Sequence, residues 1–275
     1  MAGRPGEDAM QFEYRETSQD LQTRIDIHQR YGSRDIDAWM LDLLRPQPGA
    51  VILDVGCGSG KQCLAFHAYL HGQAQITGGD ANAELLEEAR LRARSVGGGF
   101  EVIELDFNRP FELPADHYDL VSCCFAIYYA ADVEFTVGEM HRVLKPGGRL
   151  FTSGPMPQNK ALFYDIIREA TQRPIPPMPG SSRYDFDIRR AIEKRFRSVQ
   201  VEPFENPLVF EALEPFLDYT RASLSEDRKL WRPLFDSQAG FQQVMESIER
   251  VARRRLAEQG RLVMTKVVGG FIATK

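Results

Sequence analysis

The stretch Val51–Gln62, VILDVGCGSGKQ, constrains this chain more than any other part of it. A short apolar run ends in an acid, Asp54. Glycines then follow at 56, 58 and 60, ahead of a helix-like segment. Glycine at alternate positions permits a tight turn and keeps side chains away from whatever approaches the backbone. A helix opening there presents free N–H groups and a positive dipole end, which favour a carboxylate or a phosphate.

The residues around this loop repeat one alternation. AVILDV, AQITGGD, FEVIELD, YDLVSCCFAI and RLFTSG read as strands. KQCLAFHAYLHG, AELLEEARLRARSVGGG and DVEFTVGEMHRVL read as helices, the last ended by KPGG. Strands alternating with helices imply right-handed crossovers and a parallel sheet covered on both faces. Before it, Thr17–Leu44 has helical periodicity, interrupted at Tyr31-Gly32-Ser33, and residues 1–16 are expected to be flexible. After Gly154 the chain becomes rich in proline and glycine. It carries helix-like pieces, a strand at SVQVEPF, and a mostly helical run from Leu213 to Gln259. LVMTKVVGGFIATK closes it as a strand with an expected bulge or kink at Gly269-Gly270.

Composition removes several function classes. A net charge of -5 with dispersed basic residues argues against nucleic acid as the main partner. The run Arg253–Arg255 reads as a solvated helix face. Cys57, Cys63, Cys123 and Cys124 form no C-x-x-C pair, so neither a disulfide framework nor a metal site is expected, and free thiols in a reducing compartment fit better. No window approaches the roughly 20 apolar residues of a membrane span, and the first residues do not form a signal peptide, so a cytoplasmic protein without a membrane partner is expected.

Asp80 ends the strand after the glycine loop. An acid about 20 residues past such a loop can accept hydrogen bonds from ribose hydroxyls. Acids at two consecutive strand ends therefore suit a nucleoside that carries a charged group. They are also hard to explain as packing, because charges at the ends of buried strands need partners.

With these residues in view, the chain resembles the class I S-adenosylmethionine-dependent methyltransferases, of the small-molecule, UbiE-like kind. VLDVGCGSG is similar to the family's first motif, GGDANAELLEEAR to its second strand and helix, and IELDF to its third strand end. YDLVSCCFAIYYAAD and EMHRVLKPGGRLFTSGP resemble its fourth and fifth strands and the helix between them. The resemblance implies an α/β fold. Its sheet would be doubly wound, Rossmann-like, mostly parallel and seven-stranded, with an antiparallel last strand and a helical lid. It divides the chain into a helical cap (1–45), a cofactor-binding core (46–155), a substrate lid (156–262, sixth strand near 198–204) and a last core strand (263–275). Residue by residue, it implies that Gly56, Cys57, Gly58 and Gly60 line the methionine part of S-adenosyl-L-methionine, with Asp54 near its amino group. Asp80 takes the ribose hydroxyls, with Ala81 beside the adenine. Asp106 takes the adenine amino group and Phe107 covers the ring. Cys123 faces the methionine end, and Tyr31 with Arg30 meets the carboxylate. Read on residues alone, Asp106 is also a turn former before Asn108-Arg109-Pro110, Phe107 is also core, and the paired cysteines are also packing groups.

Methyl transfer from a sulfonium needs in-line positioning of an acceptor and only sometimes a base. Of five histidines, His28 is the candidate base, because family members fold the N-terminal helix over the cofactor. After the fourth strand, where many members carry histidines, this chain has Tyr128 and Tyr129. These are poor bases at neutral pH but good aromatic walls for a cationic methyl group. Phe163, Tyr164, Tyr184, Phe186, Phe210, Phe216 and Tyr219 are expected to line an acceptor pocket. The implied activity is methyl transfer to O, N or C of a small or medium metabolite. A cofactor-binding protein without transfer, or a NAD(P)-dependent oxidoreductase, are the alternatives. The second is disfavoured by G-x-G-x-G spacing in place of G-x-G-x-x-G.

Overall fold

The computed structural model describes residues 18–175, 179–225, 231, 233–235 and 237–275. The segment expected to be flexible, 1–16, lies outside the described residues, as does the middle of the proline-rich run. Two compact units are distinguished. Of the described residues, 18–33, 161–175 and those between 207 and 264 form a helical unit, and 34–160, 179–206 and 265–275 form a sheet unit. The boundaries therefore fall elsewhere than the expected cap and lid. Residues 34–44 and 179–206 group with the sheet.

The sheet has seven strands in the order β3-β2-β1-β4-β5-β7-β6: β1 (Val51–Val55), β2 (Gln75–Asp80), β3 (Glu101–Glu104), β4 (Tyr118–Cys124), β5 (Leu144–Pro155), β6 (Ser198–Phe210) and β7 (Leu262–Thr274). Pairs from β3 through β5 are parallel, and β7 runs antiparallel to β5. The chain winds outward from β1 to β3, then returns past β1 to β4. This reversal opens a crevice at the carboxyl ends of β1 and β4, where ligands of such sheets bind.

Strand alternation sends successive side chains to opposite faces. Leu53, Val55, Val121, Cys123, Leu150 and Phe271 join one buried cluster, while Ile52, Leu120, Phe151 and Ile272 join the other. The helices that cover these faces start at residues suited to capping. Asp35 caps α2 (Ile36–Leu44), Asn82 caps α4 (Ala83–Ser95) and Asp132 caps α5 (Val133–Val143), each accepting a backbone N–H. One that does not is α3 (Lys61–Tyr69). Its cap is Gly60, with no side-chain hydrogen bond.

Two local expectations change. Gly269 and Gly270 lie in unbroken register opposite Gly154 and Ser153, with no bulge. They are glycines because neighbours stand over them: a Cβ on Gly269 would fall 2.5 Å from the Met156 sulfur, and one on Gly270 2.7 Å from the Trp39 ring. The irregularity lies instead between β4 and β5, where the register shifts between Tyr118 and Leu120, opposite residues 145–148 of β5.

The helical unit holds α1 (Ser18–Tyr31), α6 (Ala161–Thr171), α9 (Leu213–Ser225) and α10 (Gln238–Gln259). Phe163 stands edge-on to both Tyr219 and Trp231, with ring centroids 6.2 Å apart in each case. Arg254 and Arg255 both pair with Glu169 of α6, so the basic run ties two helices together and is more than a solvated face. In the sheet unit a short helix, α7 (Pro179–Arg183), leads through one turn of π-helix into α8 (Arg189–Arg195). Among the described residues no helix is long and apolar enough to cross a membrane.

Candidate functional site

The three loop glycines are glycines for different reasons. A Cβ on Gly56 would fall 2.5 Å from the Ala126 Cβ, so this position lets the loop after β1 touch the loop after β4. A Cβ on Gly60 would meet Ala89 and Phe100 at 3.1–3.2 Å, so this one lets α3 approach α4 and β3. Only Gly58 faces open space, with a Leu85 methyl at 4.0 Å as its nearest neighbour. Its φ of +53° is left-handed, a conformation that costs other residues roughly 1–2 kcal/mol. The loop is fastened to the end of β2, where Gly56 and Cys57 donate backbone N–H bonds to the Gly79 carbonyl at 2.8 and 3.0 Å. From α4, Arg92 holds it with bonds to the Ser59 hydroxyl (2.6 Å) and carbonyl (3.1 Å). Asp37 of α2 reaches the opening of α3, 2.9 Å from the Lys61 ammonium and 3.3 Å from the Gln62 amide nitrogen.

Asp54 is the most unusual acid of the site. It is buried, and its carboxylate accepts a 2.6 Å bond from the Ser122 hydroxyl and a 3.8 Å contact from the Cys63 thiol. Burial pushes its pKa up to about 7, against the smaller pull of those two donors. Among the described residues no ion pair neutralises it. A cation arriving beside the loop would favour its charged form. The neighbouring Cys57 thiol, burial and the charge of Asp54 all push the Cys63 thiol's pKa up. Ser122 was legible in principle, since a hydroxyl inside the apolar run YDLVSCC needs a polar partner.

Asp80 is half-buried. One oxygen accepts the Gly58 N–H and the other the Asn82 N–H, both at 2.8 Å. A carboxylate has about four lone-pair positions, so each oxygen keeps room for a hydroxyl. Ala81 follows it, exposed. Asp106 closes a turn by accepting the backbone N–H (2.9 Å) and side-chain amide (3.0 Å) of Asn108 on one oxygen. Its other oxygen lies 3.4 Å from Arg109. The turn reading of Asp106 is thus realised, and the oxygen beside Arg109 keeps a lone pair for a further donor. Phe107 packs against the core cluster, with its ring edge 3.6 Å from where a Gly56 Cβ would stand.

At the end of β4 the Cys123 thiol lies wholly buried in the core cluster, so it does not present a side chain to the crevice as expected. Beyond it Phe125 adopts a left-handed φ of +56°, with its N–H on the Ser153 carbonyl (2.8 Å) and the Lys266 ammonium 5.2 Å from its ring centre. A 3₁₀ turn then carries Tyr128 and Tyr129, whose rings are tilted together at 4.6 Å between centroids. Arg183 donates to the Tyr128 carbonyl at 3.0 Å.

The sheet unit therefore brings Asp54, the glycine loop, Asp80, Ala81, Asp106, Phe107, Tyr128 and Tyr129 to one edge. His28 and Tyr31 belong to the helical unit. There His28 stands edge-on to Tyr219 at 5.5 Å, and Tyr31 leans on Phe210 at 5.2 Å. Of the aromatic residues expected around an acceptor, Phe163, Tyr184, Phe210, Phe216 and Tyr219 are wholly buried. Tyr184 stacks on Phe271 at 4.6 Å and bonds Thr152, which makes it core of the sheet unit.

Taken together, the open space at Gly58, the two-pronged Asp80 and the buried Asp54 fit a nucleoside that bears a cationic amino-acid group. Comparison with known proteins agrees. A family model described as a methyltransferase domain matches residues 52–148. A demethylmenaquinone methyltransferase of Thermus thermophilus is 30% identical over 174 residues, 63% of this chain and 76% of that protein. The ubiquinone/menaquinone biosynthesis C-methyltransferase UbiE of Psychromonas ingrahamii is 31% identical over 124 residues. They make up 43% of this chain and 49% of that protein, so the match spans about half of that relative's length. Among solved structures, the YcgJ protein of Bacillus subtilis superimposes with a TM-score of 0.56 over 87% of this chain and 97% of its own. At 16% identity it shows a common fold.

Proposed function

We propose that this chain, which belongs to the class I S-adenosylmethionine-dependent methyltransferase family, transfers a methyl group to O, N or C of a small or medium-sized metabolite. The observation that carries this reading is the set of three groups around Gly58: the open backbone, Asp80 bonded to the Gly58 N–H, and Asp54 buried beneath the loop. The bound cofactor supplies an activated methyl on a sulfonium. The protein's part is to hold and to shield. Asp80 orients the ribose through its remaining lone pairs. Asp54 receives the ammonium, which offsets the cost of a buried carboxylate. Asp106 takes the adenine amino group and Phe107 covers the ring. Tyr128 and Tyr129 face the sulfonium side as an aromatic wall, where a cation over a ring gains roughly 0.5–2 kcal/mol. Alignment of acceptor and methyl then supplies most of the acceleration, about 7–11 kcal/mol where the geometry is good.

Under the same reading His28 is the candidate base and Tyr31 the group for the cofactor carboxylate. Residues 156–262 select the acceptor. With Tyr184 buried, exposed Phe186 is the expected aromatic of the sheet unit that remains to meet it. The partner is a small molecule, since basic residues are dispersed and the net charge is -5. The compartment of this reading is the cytoplasm, whose reducing conditions suit four cysteines that form no C-x-x-C pair.

Calorimetry with S-adenosylmethionine and its demethylated product tests the cofactor, and mass spectrometry of a metabolite extract incubated with deuteromethyl cofactor tests transfer. Saturable binding with one labelled product is expected. Stabilisation by NAD but not by S-adenosylmethionine overturns the assignment. Binding without any labelled product leaves a cofactor-holding protein.

A further inference from the structure

We infer that Asn108 is a positioning residue that couples the adenine end of the site to the aromatic turn after β4. The inference rests on the cofactor reading above. Asn108 makes one hydrogen bond in each direction through its side-chain amide. The nitrogen donates to Asp106 at 3.0 Å, and the oxygen accepts the Ala131 backbone N–H at 2.7 Å. Only one orientation of the amide satisfies both, because a carboxylate cannot donate and a backbone N–H cannot accept. Ala131 stands two residues past Tyr129, at the end of the 3₁₀ turn.

The same two segments are fastened again nearby. Thr136 of α5 is fully buried, and its hydroxyl proton is shared between the Phe107 carbonyl at 3.0 Å and the Asp132 carbonyl at 2.9 Å. Phe107 and Ala126 in turn converge on Gly56. Three loops, after β1, β3 and β4, thus meet around one cluster. Within it Thr136 is buried and Gly56 is half-buried against Ala126 and Phe107. Asn108 is exposed, and exposed hydrogen bonds add little stability. Its geometry serves connection better. One Asp106 oxygen already holds two bonds from Asn108, so a ligand amino group takes the remaining lone pair of the other oxygen, beside exposed Arg109, and fixes the carboxylate. The carboxylate fixes the Asn108 amide, and the amide fixes the Ala131 N–H. Filling the adenine end then orders the turn that presents Tyr128 and Tyr129.

Hydrogen–deuterium exchange of the full chain, read on peptides spanning 126–132 with and without saturating S-adenosylhomocysteine, tests this. In the natural protein the ligand is expected to slow exchange at 126–132 about tenfold. Asn108→Ala is expected to exchange faster there even without ligand, and to lose most of the ligand-dependent slowing while calorimetry still records binding. Asn108→Asp keeps the acceptor for Ala131 but sets a carboxylate against Asp106. Its unliganded exchange stays near the natural rate, while the ligand-dependent slowing disappears. Equal slowing in all three proteins overturns the coupling and leaves the cofactor reading intact. No heat of binding in the natural protein overturns the cofactor reading, and this inference with it. Circular dichroism separates a misfolded variant, and Asn108→Asp carries the test if the alanine variant fails to fold.

Discussion

The loop after β1 and the loop after β4 approach closely at Gly56 and Ala126, yet they share almost nothing in composition. The first is glycine and acid. Its backbone N–H groups are bonded to Gly79 and Asp80, and a carboxylate is buried beneath it. The second is aromatic. Phe125 bends the chain through a conformation that bulky residues avoid, and Tyr128 and Tyr129 lean on each other. In the first loop each position answers a local requirement that one residue type meets. In the second, residues are chosen for the surface they present, and several types could present it. The two loops should therefore differ sharply in their tolerance of substitution.

The largest effect is expected where they meet. Gly56→Val would force a β-branched side chain into a φ of +69° with its Cβ overlapping Ala126. Strain and overpacking together should cost at least about 4 kcal/mol. Chemical denaturation checks it, and a natural midpoint would mean that the loops can separate freely.

Asp54→Asn comes next, and its sign is the reverse. Asp54 titrates near 7 in the folded chain against 3.8 unfolded, so between those values the folded state binds the extra proton. Stability is therefore greatest below pH 3.8 as far as this group is concerned. It falls by roughly 1.4 kcal/mol per pH unit up to about 7 and then levels off. Removing the charge should stabilise the unliganded protein at pH 8 by up to about 4 kcal/mol, with little change near pH 4. The same linkage makes the natural protein bind S-adenosylhomocysteine about fivefold more tightly as pH rises from 6 to 7, because the ammonium favours the carboxylate. A variant no more stable than the parent at pH 8, or flat binding across that range, would show that Asp54 is not a cationic group's partner.

Asp80→Ala removes hydrogen bonds and leaves the Gly58 N–H and ribose hydroxyls without acceptors. Cofactor affinity should fall by about 1–3 kcal/mol, roughly 5- to 150-fold by calorimetry. Unchanged affinity would move the ribose elsewhere.

The same contrast explains what could be read in the chain. Asp54, Asp80 and the glycines were visible because strand ends, turns and helix starts are short-range facts, and one residue type suits each. The alternation of strands and helices was visible for the same reason. Asn108 was not visible. Its Ala131 contact joins loops far apart in sequence, and an Asn before Arg-Pro reads as an ordinary turn. Cys123 looked exposed by its place at a strand end, but strand alternation turns its thiol into the core cluster. Tyr184 and Phe163 looked like pocket residues because aromatic content beside prolines does not say which face is buried. The glycine pair at 269 and 270 looked like a bulge, because the neighbours that require it, Met156 at Gly269 and the rings of Trp39 and Phe151 at Gly270, come from distant parts of the chain.

The smallest effect is expected in the aromatic loop, and it decides how far the contrast holds. If Tyr129 serves as ring surface, Tyr129→Phe keeps its packing against Tyr128 and single-turnover methyl transfer should change by no more than about twofold, within the range of neutral substitutions. Tyr129→Ala loses that ring contact, about 0.5–1.5 kcal/mol, and opens the site to water, so it should be slower by about tenfold or more. Should the phenylalanine variant fall as far as the alanine one, the hydroxyl itself takes part in the chemistry. The second loop would then be as specific in its residues as the first, with only its requirement hidden from a reading of local pattern.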